Sequence, residues 1–208
     1  LILLLGLAQG APKPPAPVKM TVYLNGRVAG TATMLQKLGA DGGKSVQLSM
    51  ELKSESLAIN LRQESTYDKT GRPIRKFQET HNVTLKTRKT VVVTFDAAGA
   101  NAVIDEGGKR TVKKIPLPET AVREDLSEFW FVRDVPKPGA VVKANTVNLE
   151  TLTWELVTTT YKGPVDITIA GRKVKAHRTE SDRGVAFIDA QGLPLRLELP
   201  NGAIERVW

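Results

Sequence analysis

The chain has 208 residues, of which 41% are hydrophobic and 25% charged, and this ordinary globular balance excludes disordered, collagenous and multi-span membrane classes. It contains no cysteine and two histidines, His81 and His177, so disulfides, thiolate zinc sites and cysteine nucleophiles are excluded and imidazole chemistry has little to work with. The net charge of +8 is uneven: residues 18–117 hold 17 Lys and Arg against 9 Asp and Glu, whereas residues 118–208 hold 12 against 13.

Residues 1–10 open with the apolar run Leu1 to Leu7 and close with small residues at Ala8 and Gly10. The run is far short of the roughly 20 residues that span a bilayer. It reads as the end of a secretory signal peptide, cleaved near Gly10, which implies a periplasmic or secreted protein. Residues 11–17 hold four prolines, and they read as an extended tether ahead of a single domain over 18–208.

From Val18 the apolar period is two. Val18, Met20, Val22 and Leu24 share one face, followed by Val46, Leu48, Met50 and Leu52, then Leu57, Ile59 and Leu61. Val83, Leu85, Val91, Val93 and Phe95 form a fourth run, interrupted at Thr87 and Lys89. Residues 149–157, Val165 to Ile169 and Leu193 to Leu199 continue the alternation. Such a pattern predicts half-buried strands of an antiparallel sheet. Turn signals separate them at Asn25-Gly26, Gly42-Gly43, Gly107-Gly108, Ala170-Gly171 and Asn201-Gly202. One short helix is expected over Asp125 to Phe131, where Asp125 caps and Glu128 reaches back, with Phe129, Trp130 and Phe131 on its packing side. The expected fold is all-β and mostly antiparallel, a strongly curved sheet or half-barrel with that helix across it.

A weak repeat joins Asp68, Gly71, Pro73 and Arg75 to Asp189, Gly192, Pro194 and Arg196. Its mechanics are those of one turn: Asp accepts backbone N–H groups, Gly takes the left-handed position, and Pro starts the next strand.

The C-terminal half then resembles a known family. Leu126 to Arg133, Val135 to Gly139, Tyr161-Lys162-Gly163, Ile169 to Val174 and Ile188 to Arg196 stand in the order of a family of uncharacterised bacterial periplasmic proteins. The opening Leu24 to Gly30 is similar to that family's first hairpin. The resemblance covers about Val18 to Trp208 and implies a curved antiparallel sheet related in shape to the Lol-type lipoprotein carriers. It brings no catalytic residues, and this chain lacks the lipid-attachment cysteine of lipoprotein members.

Catalytic signatures are missing from the sequence. No G-x-S-x-G elbow, H-E-x-x-H pair or Gly-rich phosphate loop is present. His177 sits in a basic strand and reads as a surface residue. No catalytic residue, metal ligand or cofactor is therefore assigned, and the protein is not expected to be an enzyme. The expected role is a non-catalytic envelope protein that binds an apolar or amphipathic, lipid-like ligand in the concave sheet face. Leu48, Met50, Ile59, Leu61, Phe129, Trp130 and Phe131 are the candidate ligand contacts. The alternative is a structural or assembly partner whose basic sheet face meets another envelope component or an anionic envelope surface, through Arg72, Arg75, Lys76, Lys86, Arg88 and Lys89. Nucleic acid is excluded as a partner, because aromatics do not interleave with that charge, and no segment is long enough to span a membrane.

Overall fold

The computed structural model describes residues 16–54, 56–119 and 136–208. They form fourteen strands: β1 (Val18–Leu24), β2 (Arg27–Leu38), β3 (Lys44–Lys53), β4 (Ala58–Tyr67), β5 (Pro73–Asn82), β6 (Thr87–Asp96), β7 (Gly99–Glu106), β8 (Lys109–Pro116), β9 (Val141–Asn148), β10 (Thr153–Ile169), β11 (Arg172–Ser181), β12 (Gly184–Ile188), β13 (Pro194–Leu199) and β14 (Gly202–Arg206). All belong to one antiparallel sheet in the order β8-β7-β6-β5-β4-β3-β2-β1-β14-β13-β12-β11-β10-β9. The first and last strands therefore pair at the centre, and β8 and β9 are the two edges. The expected all-β, strongly curved sheet is what the chain forms. The helix expected over 125–131 lies outside the described residues, as do residues 1–10 and most of the tether.

The turns follow their sequence chemistry. Asn25 and Gly26 (φ 49° and 76°) and Ala170 and Gly171 (47° and 78°) each supply the two positive φ angles that a tight hairpin needs. Asn201-Gly202 behaves differently. The turn centres on Pro200 and Asn201, while Gly202 already belongs to β14. The repeated motif is one turn used twice. Asp68 Oδ1 accepts the N–H groups of Thr70 (2.8 Å) and Arg72 (3.0 Å), and Asp189 Oδ1 accepts those of Gln191 (3.0 Å) and Leu193 (2.9 Å). Gly71 and Gly192 hold the left-handed positions, at φ 89° and 82°. Burial is the largest influence on the Asp68 carboxyl and pushes its pKa up. The bonds from Thr70, Arg72 and Gly71 outweigh burial and hold it below the usual carboxylate range.

Curvature comes from places where adjacent strands approach closer than a side chain permits. At Gly30 a Cβ would lie 1.9 Å from the backbone oxygen of Glu51 on β3. At Gly184 it would lie 2.0 Å from the backbone oxygen of Glu198 on β13. Glycine lets the sheet coil tightly at these points. A further bend falls in β10, where the register slips between Tyr161 and Gly163 and leaves Lys162 as a bulge.

Among the described residues the sheet does not close by hydrogen bonding, and its edges overlap instead. Val147 and Leu152, from the β9–β10 hairpin, share a buried cluster with Val91, Val93, Ala100, Ala102 and Ile115 of β6 to β8. Trp154 of β10 packs edge-on against Phe95 of β6, with centroids 5.9 Å apart, and its Nε1 donates to the backbone oxygen of Ile115 at 3.2 Å. Thr146, on the alternate face of β9 from Val147, meets Lys76 of β5. The β9 edge is thus tucked beneath β6 to β8, with one face on that core and the other on the interior. A second cluster of Met20, Val22, Ala32 and Ile204 fills the middle of the roll, and Leu48 and Met50 pack on it. Beyond the bulge, the hairpin of β10 and β11 packs Ile169 and Ala176 against Leu195.

Candidate binding cavity

Between β2–β5 and β9–β13 the roll forms a half-open cavity of about 450 Å3. Period-two alternation places its walls, since each strand sends every second residue inward. Met34, Val46, Val142, Val157, Ile188 and Leu197 supply the aliphatic surface. Lys76, Thr146, Thr159, Thr179, Ser181 and Arg183 interrupt it with polar groups. This interior has two kinds of wall. On β2 and β3 it is aliphatic, whereas on β4 and β5 it is hydrogen-bonding. There Gln63 Nε2 donates to Gln78 Oε1 at 2.7 Å, and Lys76 Nζ crosses to Thr146 Oγ1 at 3.0 Å.

At the rim, Arg183 pairs with Glu155, which also accepts a 2.6 Å hydrogen bond from Asn148 Nδ2. The Asn148 bond is the main reason the Glu155 carboxyl sits below its usual range, with burial opposing it and Arg183 assisting. A carboxyl with a lowered folded-state pKa adds stability above its unfolded pKa and loses it as pH falls through the folded value. Thermal melts of wild type and Glu155→Gln should therefore differ at neutral pH and converge in strong acid. A gap that stays constant with pH would show that the carboxylate contributes nothing.

The sequence-predicted residues are distributed as follows. Met50 stands opposite Leu61, and Leu52 opposite Ile59, so the two runs share a face as expected. On β3 that face packs on the middle of the roll, through Leu48, Met50 and Leu52. Of the run Val46 to Leu52, Val46 borders the cavity, while Leu48, Met50, Ile59 and Leu61 do not. Phe129, Trp130 and Phe131 lie outside the described residues. The basic residues do not gather on one surface. Arg75 and Arg62 lie over the Phe77 ring, at 5.4 and 5.9 Å, while Lys76, the residue after Arg75, borders the cavity. Arg88 pairs with Glu79, Lys89 stands opposite Thr80 on the inward register, and Arg72 and Lys86 sit in turns.

His177 corrects its sequence reading as a surface residue. It is partly buried, with Nδ1 2.6 Å from the Tyr161 hydroxyl, and burial raises the Tyr161 pKa. Tyr161 stands opposite Thr179 on β11, which makes His177, two residues away, its diagonal neighbour on the same face. Among the described residues no group of His, Asp and Glu is arranged to hold a metal, and no helix is long and apolar enough to cross a membrane. Thr159 and Thr179 were not singled out by sequence. The only sequence signal is a single threonine at each inward position, Thr159 between Val157 and Tyr161 on β10 and Thr179 opposite Tyr161 on β11.

The sequence matches no protein-family model and no curated protein. Among solved structures, the fold is similar to the crystal structure of a β-barrel-like protein of the domain of unknown function DUF1849 from Brucella abortus. The TM-score is 0.56 at 8% identity, over 94% of this chain and 98% of that one. A DUF1089 family protein from Pseudomonas aeruginosa is similar at 15% identity and a TM-score of 0.39, over 81% of this chain and 89% of that one. The first likeness establishes a β-barrel-like fold, and the second is too weak to carry an argument.

Proposed function

We propose that this is a non-catalytic, extracytoplasmic envelope protein that binds an apolar or amphipathic, lipid-like ligand inside its rolled sheet. The observation that carries this reading is the cavity of about 450 Å3, within the roughly 300–1,000 Å3 of small-molecule sites and walled largely by aliphatic side chains. An acyl chain placed there gains about 0.8 kcal/mol per buried methylene. The Lol-type resemblance of the sequence agrees with a carrier, by analogy of fold. Export is supported by the segment Leu1 to Gly10, and the mature chain recovered from cells should begin at Ala11.

Titration with a fluorescent fatty acid tests the binding reading. Saturable binding that survives moderate salt is the expected result, and Leu197→Trp, which fills the cavity, should weaken it at least tenfold while the fold persists. The second reading, a partner protein working through its outer face, draws on Phe77 flanked by Arg62 and Arg75. It predicts binding to anionic vesicles that moderate salt abolishes.

A further inference from the structure

We infer that the ligand of this cavity carries a carbonyl group, as an acyl ester or amide, that accepts hydrogen bonds from Thr159 and Thr179; this rests on the interior being the binding site. Both residues line the cavity. Thr159 stands opposite Ser181 and Thr179 opposite Tyr161 on the paired strands β10 and β11, so the two threonines are diagonal neighbours on one face. Thr179 is 8% exposed.

Two other cavity hydroxyls, Ser181 on β11 and Thr146 on β9, are engaged. Ser181 donates to the Gly184 oxygen (3.4 Å) and accepts from the Arg183 N–H (3.2 Å), and Thr146 meets Lys76 (3.0 Å). Among the described residues, Thr159 and Thr179 have no such partner. Thr159 is half-buried, and neither threonine hydroxyl oxygen is sealed within the protein, so both face the space of the cavity beside Val142, Val157 and Ala186, where a hydroxyl with no protein partner is placed to donate to whatever occupies it.

The group they meet is neutral. The nearby guanidinium of Arg183 is already neutralised by Glu155. Lys76 acts elsewhere, through Thr146, which is four residues along β9 from the Val142 that faces Thr159. At about 3.3 Å per residue, that separates the two stations by about 13 Å. A chain with a carbonyl at the threonine station and hydrocarbon along Val157 and Leu197 satisfies both walls.

The test is displacement of a bound dansyl-undecanoic acid probe by methyl laurate, by lauramide and by an alkane of equal length. For wild type, the carbonyl compounds should be favoured over the alkane. In Thr179→Val that preference should fall about three- to tenfold, the value of one hydrogen bond, whereas Thr179→Ser should retain it. Thr159→Val supplies the same comparison if the first variant folds poorly. A preference unchanged in both valine variants overturns the inference and assigns the hydroxyls to water, leaving the cavity reading intact. Failure of the probe to bind wild type overturns the cavity reading itself, and the inference falls with it.

Discussion

Gly30→Ala should lower stability by about 3 kcal/mol or more, an effect that reaches the upper range for a single added methyl. For a domain of this size that corresponds to a fall in Tm of about 6–12 °C. The added carbon would sit 1.9 Å from the backbone oxygen of Glu51, and backbone cannot rotate away as a side chain would. Relief requires β2 and β3 to separate where Gly30 faces Leu52, next to the buried Ala32. Gly107→Ala is the contrasting variant. Gly107 has a positive φ of 61° but open space around its Cβ direction, so only backbone strain of about 1 kcal/mol is expected. Gly71→Val and Gly192→Val, at the two Asp-bracketed turns, fall between them at about 1–3 kcal/mol. Chemical denaturation of the four variants gives the ranking. If Gly30→Ala proves as mild as Gly107→Ala, close strand approach is not what coils the sheet.

Much of this fold is legible in the sequence because alternation survives wherever one face packs on a core. Val18 to Leu24 and Val46 to Leu52 are read at their true positions, and Asn25-Gly26 joins β1 to β2 as its chemistry requires. Strand β5 is the informative miss. Its inward residues Lys76, Gln78 and Thr80 are polar, since they face the hydrogen-bonding side of the interior, so no apolar alternation marks it. The apolar run from Val83 to Phe95 hides the turn at 83–86 for the converse reason. Leu85 is exposed there, and its N–H is bound by Asn82 rather than by a neighbouring strand. Neither the closing geometry nor the central pairing of β1 with β14 has a local signature, because both depend on residues far apart in the chain.

The binding site is less legible than the sheet. Alternation predicts that Leu48, Met50, Ile59 and Leu61 share a face, and they do, but it cannot say where a shared face is filled and where it is hollow. Met20, Val22 and Ile204 fill the middle, whereas Ala144 and Ala186 leave space elsewhere. Alanines on inward positions among the larger aliphatic residues are what open the cavity. The basic cluster was read from sequence neighbours, and in a strand adjacent residues such as Arg75 and Lys76 face opposite ways.

Trp154→Ala should cost about 3–5 kcal/mol, the largest loss expected from any single truncation at the overlap. Three contributions meet in this side chain: area buried against the cluster of Val91 to Ile115, the edge contact with Phe95, and the Nε1 hydrogen bond to Ile115. Among the described residues no backbone ladder joins β8 to β9, and these contacts, with Lys76 to Thr146 and Lys113 to the Leu152 oxygen, tie the rolled edges together. Trp154→Phe separates the contributions. It keeps most of the apolar contact and leaves the Ile115 oxygen without the indole donor, so about 1–2 kcal/mol is expected. The consequence reaches the cavity, because Val142, Ala144 and Thr146 of the tucked strand form part of its wall. Trp154→Ala should therefore weaken fatty-acid binding and speed amide exchange in β9 before it affects β1 or β14. Uniform exchange acceleration across all strands would show that the overlap is not a separate cooperative unit, and that the roll opens only when the whole sheet unfolds.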